Sequence, residues 1–498
     1  MTGIDSAAAS SRKHWSRRLL RWAVWLSLAI VLVVATVVVG AAVDARYRLA
    51  DLQVWHRNAP RSEVRAADIG ERFTLADYLK REQQVFDEVR TAVEDAFAPV
   101  GNYAVNRYVR ASRSSPSRLD RDYNRTFEVE PDTLKGGALL VHGLTDSPYS
   151  MRAIADELRA DGYYSLALRM PGHGTVPAGL VASGADDWSA AVRLGVRHVR
   201  GRIGAGLPLV LVGYSNGGAL VTRYTLEALE DSSLPRADRL MLVSPMIGIS
   251  PMARLASVIS ALGPIPYFEK ARWLDVIPEY NPFKYNSFPA NAGRQTYDIT
   301  TDVQERLTRL GAEGRLSAFP PVLTFQSLVD ATVSTPAIVA KLYDRLPQNG
   351  SALVLFDINR HARLDQFIRS EDQTLISTLF ERRARNYRIT VVTNARTDTL
   401  DVTARDVAPG STTPVDEPLG LAWPRDTFSL SHVALPFPEN DPVYGNMATE
   451  SPGGPVALGL LSPRGERAVL TVPVDVLMRV TSNPFFPYLA QRMTAWVR

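Results

Sequence analysis

From Lys135 onward, short apolar runs alternate with stretches of helical periodicity. The runs are GGALLV (136–141), YYSLALR (163–169), LPLVLVG (207–213), DRLMLVS (238–244) and PPVLTFQSLVD (320–330). Between them lie YSMRAIADELRADG and DWSAAVRLGVRHVRGRI. Continuous apolar runs of this length fit strands covered on both faces, and parallel neighbours need a crossover long enough to hold a helix. The pattern predicts an α/β fold over 135–498: a mostly parallel sheet flanked by helices. Two intervals interrupt it. Residues 249–318, rich in proline and aromatics, are expected to be a cap insertion over the sheet's carboxyl edge, where open α/β sheets bind ligands. Residues 369–427 are expected to be a second insertion, with one strand-like run, YRITVVTN (387–394).

The amino terminus constrains location. Trp22 to Val43 carries no charge, and as a helix it is about 33 Å long, enough to cross a bilayer. Residues 1–21 form a basic tail with Arg12, Lys13, Arg17, Arg18 and Arg21 against Asp5. That asymmetry predicts a single-pass anchor with its amino terminus in the cytoplasm and the catalytic domain outside it, periplasmic if the source is bacterial. The alternative is a cleaved signal peptide, with GAAVDA supplying small residues, but the apolar segment exceeds the usual signal length. Residues 44–134 read as a leader. Thr74–Phe97 is amphipathic at helical spacing, Thr74 and Asp77 resemble a capping box, and 110–125 reads as a polar boundary loop.

The formal net charge of the 498 residues is +4. The basic tail accounts for it, so the remainder has no nucleic-acid footprint. The chain has no cysteine, which excludes disulfides, a thiol nucleophile and cysteine-ligated zinc.

Within LVLVGYSNGGALVTRYTLEAL, Ser215 sits between glycines at a strand-to-helix turn. G-x-S-x-G in that context keeps its neighbours small because the backbone nearly touches itself, and it exposes the hydroxyl at a helix amino terminus. A nucleophilic serine needs a base, an acid that orients the base, and donors for an oxyanion. LLVHGLTDSP (139–148) ends a strand in a small polar loop, and the backbone N–H groups of Leu144 and Asn216 are the expected oxyanion donors. His142 and His173 are expected to fix loops. Asp330 ends its strand and is the expected acid; Asp357 is a weaker candidate.

VHGLTDSPYSMRAIADELRADGYYSLALRMPGHGT, LVGYSNGGAL and FQSLVDATVS resemble the α/β-hydrolase superfamily, in particular the bacterial carboxylesterase and monoacylglycerol lipase branch. The resemblance covers 135–248 and resumes at 320–336. It implies the chain order serine, acid, histidine, and places the oxyanion donors at Leu144 and Asn216. After Asp330 only His361 and His432 remain. The spacing of His361 is the one family enzymes often show, but Arg360 and Arg363 flank it, and neighbouring guanidinium charge opposes an imidazolium. His432, in the apolar loop DTFSLSHVALPFPEN, is the preferred base, with His361 the alternative. The expectation is a membrane-anchored serine hydrolase, a carboxylesterase or lipase acting on small-molecule or lipid esters without metal or organic cofactor. Thioesterase, amidase or acyltransferase chemistry on the same triad, or an inactive hydrolase-fold binding module, are the alternatives.

Overall fold

The computed structural model describes residues 4–97, 105–248, 265–362, 384–448, 453–464 and 469–498. Helix α1 spans Ile4–Arg48, and an 18-residue stretch within its part from Leu20 to Arg48 has a mean hydropathy of 2.8, long and apolar enough to cross a membrane. Its last turns are not free. The Arg46 guanidinium lies 4.3 Å over the Tyr267 ring, and Lys270 donates to the Leu49 carbonyl at 2.8 Å and to Asp51 at 3.0 Å. Ala45, Leu49 and Leu52 pack with Trp273 and Val276. In the leader, α2 spans Leu75–Val89. Thr74 and Asp77 cap it reciprocally, Thr74 N donating at 2.9 Å and Asp77 N at 3.2 Å.

The sheet has ten strands. In chain order they are β1 (Phe127–Val129), β2 (Gly136–Val141), β3 (Tyr163–Leu168), β4 (Leu209–Tyr214) and β5 (Arg239–Val243). A small separate pair follows, β6 (Trp273–Asp275) and β7 (Phe288–Pro289). The main sheet resumes with β8 (Val322–Ser327), β9 (Ala352–Phe356), β10 (Arg388–Asn394), β11 (Asp401–Val407) and β12 (Val415–Ala422). The spatial order is β1-β3-β2-β4-β5-β8-β9-β10-β11-β12. Strands β3 through β10 in that order run parallel, and β1, β11 and β12 are antiparallel additions at the two edges.

Each central strand feeds two cores, because successive side chains point to opposite faces. Leu139, Val141, Leu209 and Leu211 face one core, and Ala138, Leu140, Val210 and Val212 the other. The helices that cover them are α3 (Arg152–Ala160), α4 (Ala185–Ile203), α5 (Asn216–Glu230), α6 (Ala290–Ala312), α7 (Thr335–Lys341) and α8 (Phe486–Val497). α4, α5 and α6 lie on the first face, α3 and α8 on the second. α4 carries Asp186 and Asp187 in its first turn and Arg200 and Arg202 in its last, the charge order the helix dipole favours.

Three expectations change. The first part of the expected cap, 249–264, lies outside the described residues. Of the rest, 265–289 is the cap-like part. α6 instead buries Ile299, Val303, Leu307 and Leu310 in the main core; it is a crossover helix between β5 and β8, and that spacing carries its helical period. In the expected second insertion, 369–383 lies outside the description, and the rest continues the sheet through β10, β11 and β12. The last two escape sequence reading because neither shows a clean apolar run: β11 carries Asp401, Arg405 and Asp406, and the edge strand β12 carries Asp416, Glu417 and Pro418, which an edge tolerates. Finally, the polar loop 110–125 is in part tucked inside the molecule. Ser112, Ser114, Ser115 and Asn124 are buried.

Candidate active site

The turn after β4 shows why its neighbours are glycines. A Cβ on Gly213 would lie 2.5 Å from the Gly217 carbonyl, and one on Gly217 would lie 2.0 Å from the Val141 carbonyl. No side chain fits at those distances. Ser215 itself has φ 54° and ψ −117°, a conformation costly for a residue with a Cβ. It is held by its N–H to the Val243 carbonyl at 2.9 Å, while its own carbonyl accepts from Met246 N at 2.9 Å and Gly218 N at 3.0 Å. The end of β5, the loop after it and the first turn of α5 thereby fix the serine.

The Ser215 Oγ lies 3.0 Å from His432 Nε2. On the other side of the ring, His432 Nδ1 lies 2.8 Å from Asp330 Oδ2. The second carboxylate oxygen of Asp330 accepts from Thr332 N at 2.7 Å and Val333 N at 3.0 Å. Burial opposes the ionised carboxylate, but His432 and these N–H groups outweigh it and hold Asp330 below the usual carboxylate range. An ionised Asp330 accepts only, so Nδ1 carries the proton and Nε2 presents its lone pair to the serine. The loop bearing His432 is anchored where Ser327 at the end of β8 donates to the Leu430 carbonyl at 2.8 Å. Tyr214 stacks on the imidazole with ring centroids 5.4 Å apart.

His361 lies elsewhere. It sits in a short turn after β9 where its N–H donates to Asn359 at 3.2 Å, with no hydrogen bond to Ser215 or Asp330. Asp357 is committed to Arg360 at 2.9 Å and to Thr393 at 2.8 Å. His142 and His173 are loop residues. His142 accepts from Met170 N at 3.0 Å and donates to the Gly143 carbonyl at 2.9 Å, and burial pushes its pKa well down. Burial pushes His173 down to about 3. Both stay neutral.

The loop after β2 closes on the serine. A Cβ on Gly143 would lie 3.1 Å from the Ser215 Cβ, and Thr145 takes a positive φ of 63°. Among the described residues neither Leu144 N nor Asn216 N donates to a protein acceptor. The cap-like segment covers this loop: Tyr285 N donates to the Thr145 carbonyl at 2.8 Å, and Lys284 lies 3.1 Å from Asp146. Burial raises the Asp146 pKa, opposed by Lys284. Asp146 and Lys284 escaped the sequence reading; the only signal was an acid in the loop after β2. The site is closed, with Ser215 only 4% exposed.

Residues 133–365 match the family model Hydrolase_4, described as serine aminopeptidase, S33. The match contains Ser215, Asp330 and His361 and ends before His432. The thermostable monoacylglycerol lipase of Bacillus sp. (strain H-257) is 27% identical over 180 residues, which span 35% of this chain and 65% of that protein, a little under two thirds. Among solved structures, a soluble variant of monoglyceride lipase from Saccharomyces cerevisiae aligns with 47% of this chain and 81% of its own at 17% identity and a TM-score of 0.35. The monoacylglycerol lipase of Paleococcus ferrophilus aligns with 51% of this chain and 99% of its own at 17% identity and a TM-score of 0.35.

Proposed function

We propose that this chain, an α/β-hydrolase in its central region, is a membrane-anchored serine hydrolase that cleaves carboxylic esters. The observation that carries the proposal is the unbroken hydrogen-bonded series from the Ser215 hydroxyl through His432 to Asp330, with the serine held at the positive φ of a nucleophile turn. In the first half-reaction Ser215 Oγ attacks the carbonyl carbon as His432 Nε2 takes its proton. Asp330 stabilises the imidazolium that results. The carbonyl oxygen becomes an oxyanion, for which the N–H groups of Leu144 and Asn216 are the available donors at the strand and helix ends. His432 then protonates the departing alcohol, leaving an acyl-enzyme. Water attacks the acyl-enzyme with His432 again as base, and the acid and free Ser215 are released.

The similarity to a monoacylglycerol lipase supports esters with a lipid-like acyl chain. The family description names a serine aminopeptidase, and an amide would pass through the same oxyanion, so the assay includes both. Full-length protein in detergent should hydrolyse p-nitrophenyl butyrate faster than an aminoacyl p-nitroanilide and should react with a fluorophosphonate. Ser215→Ala should lose about 10³-fold or more in turnover while keeping its circular dichroism spectrum. Equal activity in that variant removes the nucleophile. A preference for the anilide turns the reading to peptide or amide substrates.

A further inference from the structure

A small cavity of about 120 Å³ opens next to the loop that carries His432, with Val433 in its wall. Its walls include Tyr280, Lys284, Val433, Tyr444, Arg479 and Val480. Two of these are cations, and none is a carboxylate. The two cations differ in their state. Lys284 is paired with Asp146 at 3.1 Å, and that carboxylate lies behind it in the buried loop. Arg479 has no carboxylate partner among the described residues; its guanidinium donates to Thr332 Oγ1, which leaves donors of the fork unused. Much of the rest of the wall is apolar, and several of its polar groups are already bonded. Tyr444, for example, accepts from Asn281 at 2.7 Å. A half-buried guanidinium in a small, largely apolar recess is an unbalanced charge, and a planar anion is the group its fork geometry matches.

The cavity also has a definite side. Val433 is the residue after His432. The Arg479 carbonyl accepts from Ser431 Oγ at 2.7 Å, and its side chain reaches the turn whose Thr332 N–H holds Asp330. One wall of the recess therefore adjoins the loops that carry His432 and Asp330, and the cap-like segment 277–286 forms another. The group that leaves in the first half-reaction must take its proton from His432, so the alcohol part of the substrate lies on the His432 side. We infer that the recess between Lys284 and Arg479 binds an anionic group carried by the alcohol part of the ester, a carboxylate or a phosphate. This rests on the ester-hydrolase reading and narrows its substrate class: an acyl ester of an acidic alcohol is preferred to the matching neutral one.

The test compares two butyrate esters, that of 4-hydroxybenzoate and that of methyl 4-hydroxybenzoate, on full-length protein in detergent. Intrinsic reactivity cancels when the ratio of kcat/KM values is compared between variants. Arg479→Gln, which keeps a donor for Thr332 but loses the charge, should lower the anionic-to-neutral ratio about tenfold or more, the size of a lost charge-assisted hydrogen bond. Arg479→Lys should restore much of it. In the unaltered protein, kcat/KM for the anionic ester should fall with added salt more steeply than that for the neutral ester, a readout that needs no variant to fold. The same comparison with 1-oleoylglycerol 3-phosphate and 1-oleoylglycerol in mixed micelles separates a lipid headgroup from a small soluble acid. An unchanged ratio in folded Arg479→Gln, or equal salt slopes, overturns the inference and leaves the ester-hydrolase reading standing. Hydrolysis of neither ester, together with no fluorophosphonate labelling, overturns both.

Discussion

Ser215 holds a left-handed backbone although it is not glycine, and the surroundings that enforce this are glycines that are not themselves left-handed. Gly213 and Gly217 are required by contact distance, not by φ. Gly217→Ala drives a methyl into the Val141 carbonyl and should cost at least about 1–3 kcal/mol in urea unfolding, together with activity; an unaltered midpoint would refute the close approach. The histidines separate as cleanly. His432→Ala should abolish turnover and rapid fluorophosphonate labelling, because a serine without its base is a weak nucleophile. His361→Ala should keep activity within about twofold, since substitution outside such networks rarely exceeds about 0.5 kcal/mol. The opposite result reverses the assignment. Asp330 sets a sign for pH. Its folded pKa lies below the ordinary 3.8, so its ionised form contributes stability that is complete above that value and is lost as pH falls through the lower folded one. The stability gap between the unaltered protein and Asp330→Asn, read from urea midpoints, should therefore shrink as pH drops below about 4; a gap that widens in acid contradicts the pairing.

At the scale of elements, one buried side chain ties two parts of the leader to the end of β3. Arg169, at the end of β3, is fully buried and bonds Glu63 at 2.8 and 3.0 Å and Glu82 at 3.1 Å. Tyr78 of α2 donates to the Arg169 carbonyl. Burial raises the Glu82 pKa against the pull of Arg169. Removing the cation strands two buried carboxylates, so Arg169→Met should lose about 3–5 kcal/mol and make 44–134 the first segment cut in limited proteolysis. Undiminished protease resistance would mean that the leader's other contacts hold it without this cation. The expectation that 44–134 is a mere leader thus undersells it. Its amphipathic helix and cap were legible from Leu75, Leu79 and Thr74, whereas its attachment was not, because Arg169 and Glu63 lie 106 positions apart and no local pattern links them.

Over the whole molecule, the proposed anchor and the site lie on one structural path. The end of α1 packs on 267–276, and the same segment continues to Lys284 and Tyr285 over the loop after β2. Tyr47, Ile265 and Tyr267 are exposed there, a composition suited to a membrane interface. The full chain should fractionate with membranes, resist a high-salt wash and dissolve in detergent, and a reporter fused after residue 60 should be active outside the cytoplasm. A soluble mature form beginning near Val43 would establish cleavage instead.

The sequence by itself determined the parallel sheet, the serine turn and the acid at the end of β8. Each rests on local chemistry: apolar runs, glycine where the backbone crowds, a carboxylate where a strand stops. It also narrowed the base to two histidines, but spacing favoured one and environment the other. Only the tertiary structure decided which of them lies beside Ser215 and Asp330, because a loop more than 100 positions after Asp330 returns to the carboxyl edge of the sheet. Only it revealed that α6 is core, that β11 and β12 extend the sheet, and that Arg479 reaches the turn that holds Asp330. Those outcomes depend on which surfaces remain to be covered once the strands have paired, a property of the assembled sheet and not of any window of sequence.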